Sequence, residues 1–433
     1  MSPELISILV LAVVFVIATT RSVNMGALAF AAAFGVGELV ADLDADGIFA
    51  GFPGDLFVVL VGITYLFAIA RANGTTDWLV HASIRLVRGR VALIPWVMFA
   101  LTGSLTAIGA ISPAAVAIVA PIALSFAAQY GISPLLMGAM VVHGAQGGGF
   151  SPISIYGTIV NGIVEREKLP GNEIALFLAS LIANIVIAAV VFVLFGGLKL
   201  WRQEGIAAAT GSGTPATAPT TGTTTAVTTP PDTLHLTPAR TATLTALASL
   251  VIAVLAFDLD AGLTAITLAV VLSAIWPDDS RKAVTQIAWS TVLLICGVLT
   301  YVGVLDEMGT ITWAGEGVSD IGVPLLAALL LCYIGAIVSA FASSVGIMGA
   351  LIPLAVPFLA QGEIGAVGMV AALAVSATVV DVSPFSTNGA LVLAAAPDVD
   401  RERFFRQLMI YGGIVVAAVP AVVWLVLVVP GWE

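Results

Sequence analysis

Charge is what this sequence has least of. Asp, Glu, Lys and Arg make up 9% of its 433 residues against 60% hydrophobic ones, and mean hydropathy is +1.11. That composition excludes a soluble globular domain of this length. Basic residues number 15 against 26 acidic ones, for a formal net charge of −11. The acids sit mainly in short loops between apolar runs, so the total describes neither an acidic soluble protein nor a nucleic acid binder. Cysteine is limited to Cys296 and Cys332. Both fall inside apolar runs and read as small buried hydrophobes rather than a disulfide or a metal pair. The first apolar run, 6–18, follows Met-Ser-Pro-Glu with no basic n-region and no small-residue cleavage pattern; it reads as a retained helix, not a signal peptide.

Apolar runs of membrane length are what the chain has in abundance. A hydrocarbon core about 30 Å thick takes roughly 20 apolar residues per helix. Candidates stand near 4–20, 25–42, 54–72, 132–163, 172–199, 238–256, 259–276, 286–304, 364–397 and 405–430. Two further stretches, 91–128 and 322–360, are too long for one span and carry helix-breaking residues at the middle, Gly109-Ala110-Ile111-Ser112-Pro113 and Ala342-Ser343-Ser344-Val345-Gly346. Both read as re-entrant hairpins that enter and leave on one side.

Lys and Arg collect in cytoplasmic loops, which tests this reading. With the N-terminus outside, the inside loops hold Arg21, Arg71, Arg85, Arg88, Arg90, Lys199, Arg202, Arg240, Arg281, Lys282, Arg401, Arg403 and Arg406, and only Arg166 and Lys168 lie outside. A single crossing at either long stretch would reverse everything after it and destroy the asymmetry. The expectation is a multi-pass protein of a bacterial-type cytoplasmic (inner) membrane with both termini outside. Residues 205–236 are rich in Thr, Ala, Gly and Pro with no apolar period, and read as a flexible cytoplasmic linker. A glycosylated stalk shares the composition, but the cytoplasmic position argues against it.

The two halves align with one another at an offset of 232: Ser112 with Ser344, Pro121 with Pro353, Phe126 with Phe358, Gln129 with Gln361 and Met137 with Met369. Ser151-Pro152-Ile153-Ser154-Ile155-Tyr156-Gly157 then matches Ser383-Pro384-Phe385-Ser386-Thr387-Asn388-Gly389. Upstream the offset becomes 235, pairing Gly62, Gly74 and Trp78 with Gly297, Gly309 and Trp313. Five crossings per half, an odd number, bring the second half into the membrane from the opposite side. The expected fold class is therefore an all-α polytopic membrane protein of two inverted repeats, 1–204 and 237–433, each with five transmembrane helices, one re-entrant hairpin and a broken helix at the centre. Secondary transporters of this architecture place their site between the broken helices.

Pro152 and Pro384 lie mid-membrane, behind Gly147-Gly148-Gly149-Phe150-Ser151 and Asp381-Val382-Ser383. Proline removes a backbone donor and a glycine run breaks a helix; unwound backbone at this depth is tolerated only where it is buried or lines a cavity. Its carbonyls suit a hard cation and the half-helix N-termini suit an anion. A plain proline kink is the bland reading of one such site, less so of two matched ones. Ser112, Ser343 and Ser344 stand at the hairpin tips, where a hydroxyl donates to a carboxylate or meets a cation. No Lys or Arg occurs between Arg90 and Arg166 or between Lys282 and Arg401, so an anion held there needs helix dipoles, neutral donors and bound cations. His143 in that region reads as a neutral, hydrogen-bonded residue. Asp381, the one acid deep in a span, coordinates a cation or carries a proton, or else is a solvated or capping acid near the end of its span.

At these residues the chain resembles the ion transporter superfamily that includes the divalent anion/sodium symporters. Within it, Gly147-Gly148-Gly149-Phe150-Ser151-Pro152-Ile153-Ser154 and the segment 381–391 resemble the malonate/dicarboxylate carriers of the MatC type. The resemblance implies a dimeric elevator transporter with a scaffold from the early helices of each repeat and a mobile part from hairpins and broken helices. The symporters' Ser-Asn-Thr tips, which contact sodium and substrate carboxylates, match Ile111-Ser112-Pro113 and Ser343-Ser344-Val345 here; neither keeps the Asn. The implied substrate contacts are Ser112, Pro113, Ser151, Pro152, Ser343, Ser344, Ser383, Pro384, Thr387 and Asn388. The implied cation contacts are Gly148, Gly149, Ser112, Ser339, Ser343 and Asp381, with sodium at the hairpin tips and no transition metal. The expected function is cation-coupled uptake of a small dicarboxylate, with Na+ or H+ as coupling ion, no other cofactor, and a homodimer in the bilayer. A sodium/proton antiporter of the same superfamily is the nearest alternative; an intramembrane Ser/His hydrolase is a distant one, lacking an oxyanion loop.

Overall fold

The computed structural model describes residues 2–21, 23–84, 90–201, 235–257, 259–311, 313, 323–340, 344–359, 362, 364–396 and 399–431. The regular elements among them are all helical: α1 Pro3–Thr20, α2 Met25–Leu39, α3 Ala45–Ala50, α4 Gly54–Ala72, α5 Thr75–Ile84, α6 Ile94–Ala107, α7 Ser112–Tyr130, α8 Pro134–Gly148, α9 Ile155–Arg166, α10 Glu173–Leu194, α11 Pro238–Phe257, α12 Ala261–Ile275, α13 Pro277–Thr285, α14 Trp289–Glu307, α15 Pro324–Ser339, α16 Ser344–Leu359, α17 Ala366–Val379, α18 Thr387–Ala395 and α19 Arg401–Val423. Ser2, Asn24, Asp44, Ser133, Asn172, Asp260 and Asp400 each accept a first-turn N–H through the side chain. These caps satisfy donors that lipid cannot.

Among the described residues, seven segments are long and apolar enough to cross a membrane by length and composition: 54–72, 112–130, 173–194, 238–257, 289–307, 366–395 and 401–428. The expected spans 25–42 and 259–276 form helices of 15 residues each. α12 stops early because Trp276 precedes Pro277 and takes an extended φ of −124°. The stretch 91–128 is two helices, α6 and α7, packed on one another, with a reversal at Gly109, whose φ is +114°. α15 and α16 likewise pack together, while 341–343 at their junction and nearly all of 205–236 lie outside the described residues.

The helices fall into two groups. In one, α2 packs on α14 and α4 on α12. A Cβ at Gly297 would overlap the carbonyl of Gly26, and one at Gly62 would overlap that of Gly262. These are the same crossing made twice with the halves exchanged, since Gly62 and Gly297 are partners in the internal alignment. Lipid gives helices no hydrophobic reason to associate, so backbone contact at small residues supplies the packing. The other group surrounds the two broken helices. α8 is buried along its length from Leu135 and is pressed onto α6, where a Cβ at Gly148 would overlap the Gly103 carbonyl. α17 is enclosed by α15, α16, α10 and α19.

Candidate functional site

The first broken helix unwinds between α8 and α9, the second between α17, with its 3-10 turn Val380–Val382, and α18. Both use one device. Ser154 Oγ lies 2.5 Å from the Gly149 carbonyl and 2.7 Å from that of Ser151, and accepts the Gly157 N–H at 3.2 Å. At the equivalent positions Ser386 Oγ donates to the Asp381 carbonyl, lies 2.8 Å from that of Ser383, and accepts the Gly389 N–H at 3.3 Å. A Cβ at Gly157 or Gly389 would overlap the carbonyl of Ser151 or Ser383. A serine hydroxyl thus replaces the interrupted backbone ladder and caps the helix that restarts.

The first turns of α7 and α16 and both broken helices meet in one polar cluster. Asp381, 6% exposed, accepts the Ser344 hydroxyl on Oδ1 at 2.5 Å and Gln146 Nε2 on Oδ2 at 2.7 Å. Ser339 Oγ lies 2.9 Å from Ser344 Oγ and 2.5 Å from the Ala377 carbonyl. Ser112 Oγ accepts Asn388 Nδ2 at 2.8 Å and Gln146 Nε2 at 3.4 Å, and the Tyr156 phenol lies against it. No basic side chain among the described residues reaches the cluster. The cap of α18 is Ser386, not Asp381, so the Asp381 carboxylate faces the cluster instead of capping the helix.

His143 belongs to a separate buried network. Asn184 spends its amide N–H on the Ser180 carbonyl at 2.9 Å, so its Oδ1 faces His143 Nδ1 at 2.9 Å, and Nε2 is left to accept the Tyr411 hydroxyl at 2.6 Å. Both ring nitrogens are used by neutral partners, which ties α8 to α10 and α19. His143→Leu is expected to strand two buried polar groups and lower stability by about 2 kcal/mol or more, read as a drop in unfolding temperature; an unchanged temperature would refute the brace.

Of the sequence-derived contacts, the structure brings together Ser112, Ser344, Ser339, Asp381 and Asn388. Ser151 turns its hydroxyl to the Ala107 carbonyl, away from His143, so no Ser/His pair is made. Ser383 Oγ accepts the Phe385 N–H at 3.3 Å. The Gly148 carbonyl accepts the Ser151 N–H at 3.3 Å, and that of Gly149 accepts the Gly157 N–H at 3.2 Å besides the Ser154 hydroxyl. Pro113 stands in the first turn of α7, Pro152 is half-buried, Pro384 buried and Thr387 exposed. Ser343 lies outside the described residues. Gln146 and Tyr156 escaped the sequence reading; the signal for Gln146 was a carboxamide on an apolar helix just before a glycine run. A cavity of about 720 Å³ opens elsewhere, where α7, α10 and α18 end and α8 begins, with Lys199 on its wall.

Residues 1–149 match the family model for the N-terminus of the dicarboxylate carrier protein MatC. Over those residues the chain is similar to that carrier. That match ends just after α8, so it includes Ser112 and Gln146 but not Ser344, Asp381 or Asn388. No curated protein matches by sequence. Among solved structures the YdaH transporter of Alcanivorax borkumensis is similar, with a TM-score of 0.60 over 98% of each chain at 15% identity. At that identity the likeness is one of fold alone.

Proposed function

We propose that the chain is a secondary transporter that carries a small dicarboxylate, of the malonate or four-carbon class, into the cell together with a cation. The observation that carries this reading is the buried cluster itself: the second helix of each hairpin and both broken helices converge on it, with one carboxylate and no base among the described residues. A dianion entering such a site meets hydroxyls and half-helix N-termini but no positive side chain, so co-bound cations must compensate it. The match to MatC at residues 1–149 supports the substrate class.

The paired Gly26–Gly297 and Gly62–Gly262 crossings support two inverted repeats, 1–204 and 237–433; the family resemblance supports an inner-membrane homodimer, and the distribution of Lys and Arg supports both termini outside. An elevator motion is supported by an inequality between the repeats. α16 packs along α14, whereas α7 makes no comparable contact with α4, as one of two alternating states would have it.

The test is uptake of labelled malonate, succinate and malate into proteoliposomes with sodium and pH gradients imposed separately; uptake indifferent to both gradients contradicts coupling. Ser344→Ala is expected to weaken substrate affinity about tenfold without loss of folded protein, as is Ser383→Ala to a smaller degree. Wild-type affinity in both removes them from the site. Asp381 also favours a second reading, the sodium/proton antiporter. Sodium efflux driven by a proton gradient in the absence of any dicarboxylate would select it.

A further inference from the structure

Two carboxamide oxygens in the cluster have no donor among the described residues. Gln146 and Asn388 are buried at 0% and 1% exposure, and each directs its N–H groups inward: Gln146 to Asp381 and Ser112, Asn388 to Ser112. That leaves Gln146 Oε1 and Asn388 Oδ1 buried without a partner among the described residues. Buried acceptors are almost always paired, so each such oxygen asks for an explanation. Both belong to amides anchored on one hydroxyl, that of Ser112, beside a carboxylate that no basic side chain reaches.

We infer that Asp381, Gln146 and Asn388 form a single binding site for a monovalent metal cation. The inference rests on the cation-coupled reading above and assigns the residues that hold the ion. Three candidate occupants differ in what they satisfy. A water donates to both amide oxygens but leaves the carboxylate charge uncompensated. A proton on Asp381 removes the charge, and after an amide flip satisfies Gln146, but leaves the Asn388 oxygen unpaired. A metal cation answers all three oxygens and the charge together. One carboxylate among neutral oxygens matches one positive charge; divalent ions demand more anionic ligands.

The site is also unrepeated. The internal partners of Asp381, Gln146 and Asn388 are Gly149, Thr378 and Tyr156. Gly149 offers no side chain, Thr378 returns its hydroxyl to the Ala374 carbonyl at 2.8 Å, and the Tyr156 phenol is occupied with Ser112. The symmetry that doubles the helix breaks therefore does not double this site, and its cation dependence is hyperbolic.

The experiment follows the unfolding temperature of purified full-length protein against sodium, lithium and potassium chloride, with choline chloride holding ionic strength, at two pH values. The wild type is expected to be stabilised along a single-site curve. Gln146→Leu and Asn388→Ala are expected to raise the half-saturating sodium concentration about tenfold or more, with a lower unfolding temperature in choline, because each also removes an N–H donor to Asp381 or Ser112; the sodium-induced rise above that baseline is what is compared. Thr378→Val at the partner position is expected to leave the sodium curve unchanged. Unshifted curves in both variants, a Hill coefficient near two, or a response to pH with none to any metal ion would each overturn the assignment. Dicarboxylate uptake separates the two claims. Sodium-dependent uptake with unshifted variants refutes the site and spares coupled transport. Shifted binding curves with cation-independent uptake do the reverse.

Discussion

Asp381→Asn is expected to abolish the response to the coupling cation while leaving the protein folded and no less stable. The two effects have opposite signs because the same carboxylate is the charge of the site and a burden on the fold. An ion buried without a charged partner costs several kcal/mol, and among the described residues Asp381 is held by Ser344 and Gln146. Asparagine keeps an oxygen for the Ser344 hydroxyl. Its new N–H group faces Gln146, whose amide turns over to accept it, pairing an oxygen that otherwise has no donor. In cation-free buffer the variant is therefore expected to gain about 1 kcal/mol or more, seen as an equal or higher unfolding temperature. Added sodium then leaves that temperature unmoved, and gradient-driven uptake is lost. An unchanged cation titration would show that Asp381 plays no part in the site. A large fall in stability would show that its charge is compensated by a further group of the fold.

The second large effect is expected far from this cluster. Gly297→Ala places a methyl group on the Gly26 carbonyl, and since the obstacle is backbone rather than a flexible side chain, α2 and α14 must move apart. Overpacking of this kind costs about 3 kcal/mol or more. In a membrane the helices have little else to hold them at that distance. Gly62→Ala is expected to do the same to α4 against α12, where the obstacle is the Gly262 carbonyl. Gly35→Ala, on α2 but facing open space, is expected to be neutral or to stabilise by about 0.5–1 kcal/mol through helix propensity. Yield of monodisperse protein and its unfolding temperature read all three. Equal behaviour of Gly297→Ala and Gly35→Ala would mean that the crossing is not a packing point.

What could be read from the chain was local. The helix breaks were legible because their chemistry is contained in a few consecutive residues: the second serine of Ser-Pro-x-Ser-x-x-Gly bonds carbonyls three and five positions back, and the glycine makes room for it. The chain reversal between α6 and α7 was legible from the length of 91–128 and its central Gly109. Gln146 was not, since its meaning comes from Asp381, 235 positions away. The same holds for the Ser112–Asn388 bond across 276 positions and for His143, whose Nε2 partner Tyr411 lies 268 positions on. Ser151 and Ser383 show the converse. The motif gives them equivalent places, but whether a hydroxyl turns toward the cluster or toward a neighbouring carbonyl depends on what packs beside it.

Composition alone determined that this chain lives in lipid, because so few charges cannot solvate a surface, and the repeated motif alone determined where two of its helices break. Which side chains face one another across those breaks was decided only by tertiary structure. Hydrogen-bond partners and buried charges depend on contacts between distant segments, and neither hydropathy nor periodicity carries that information.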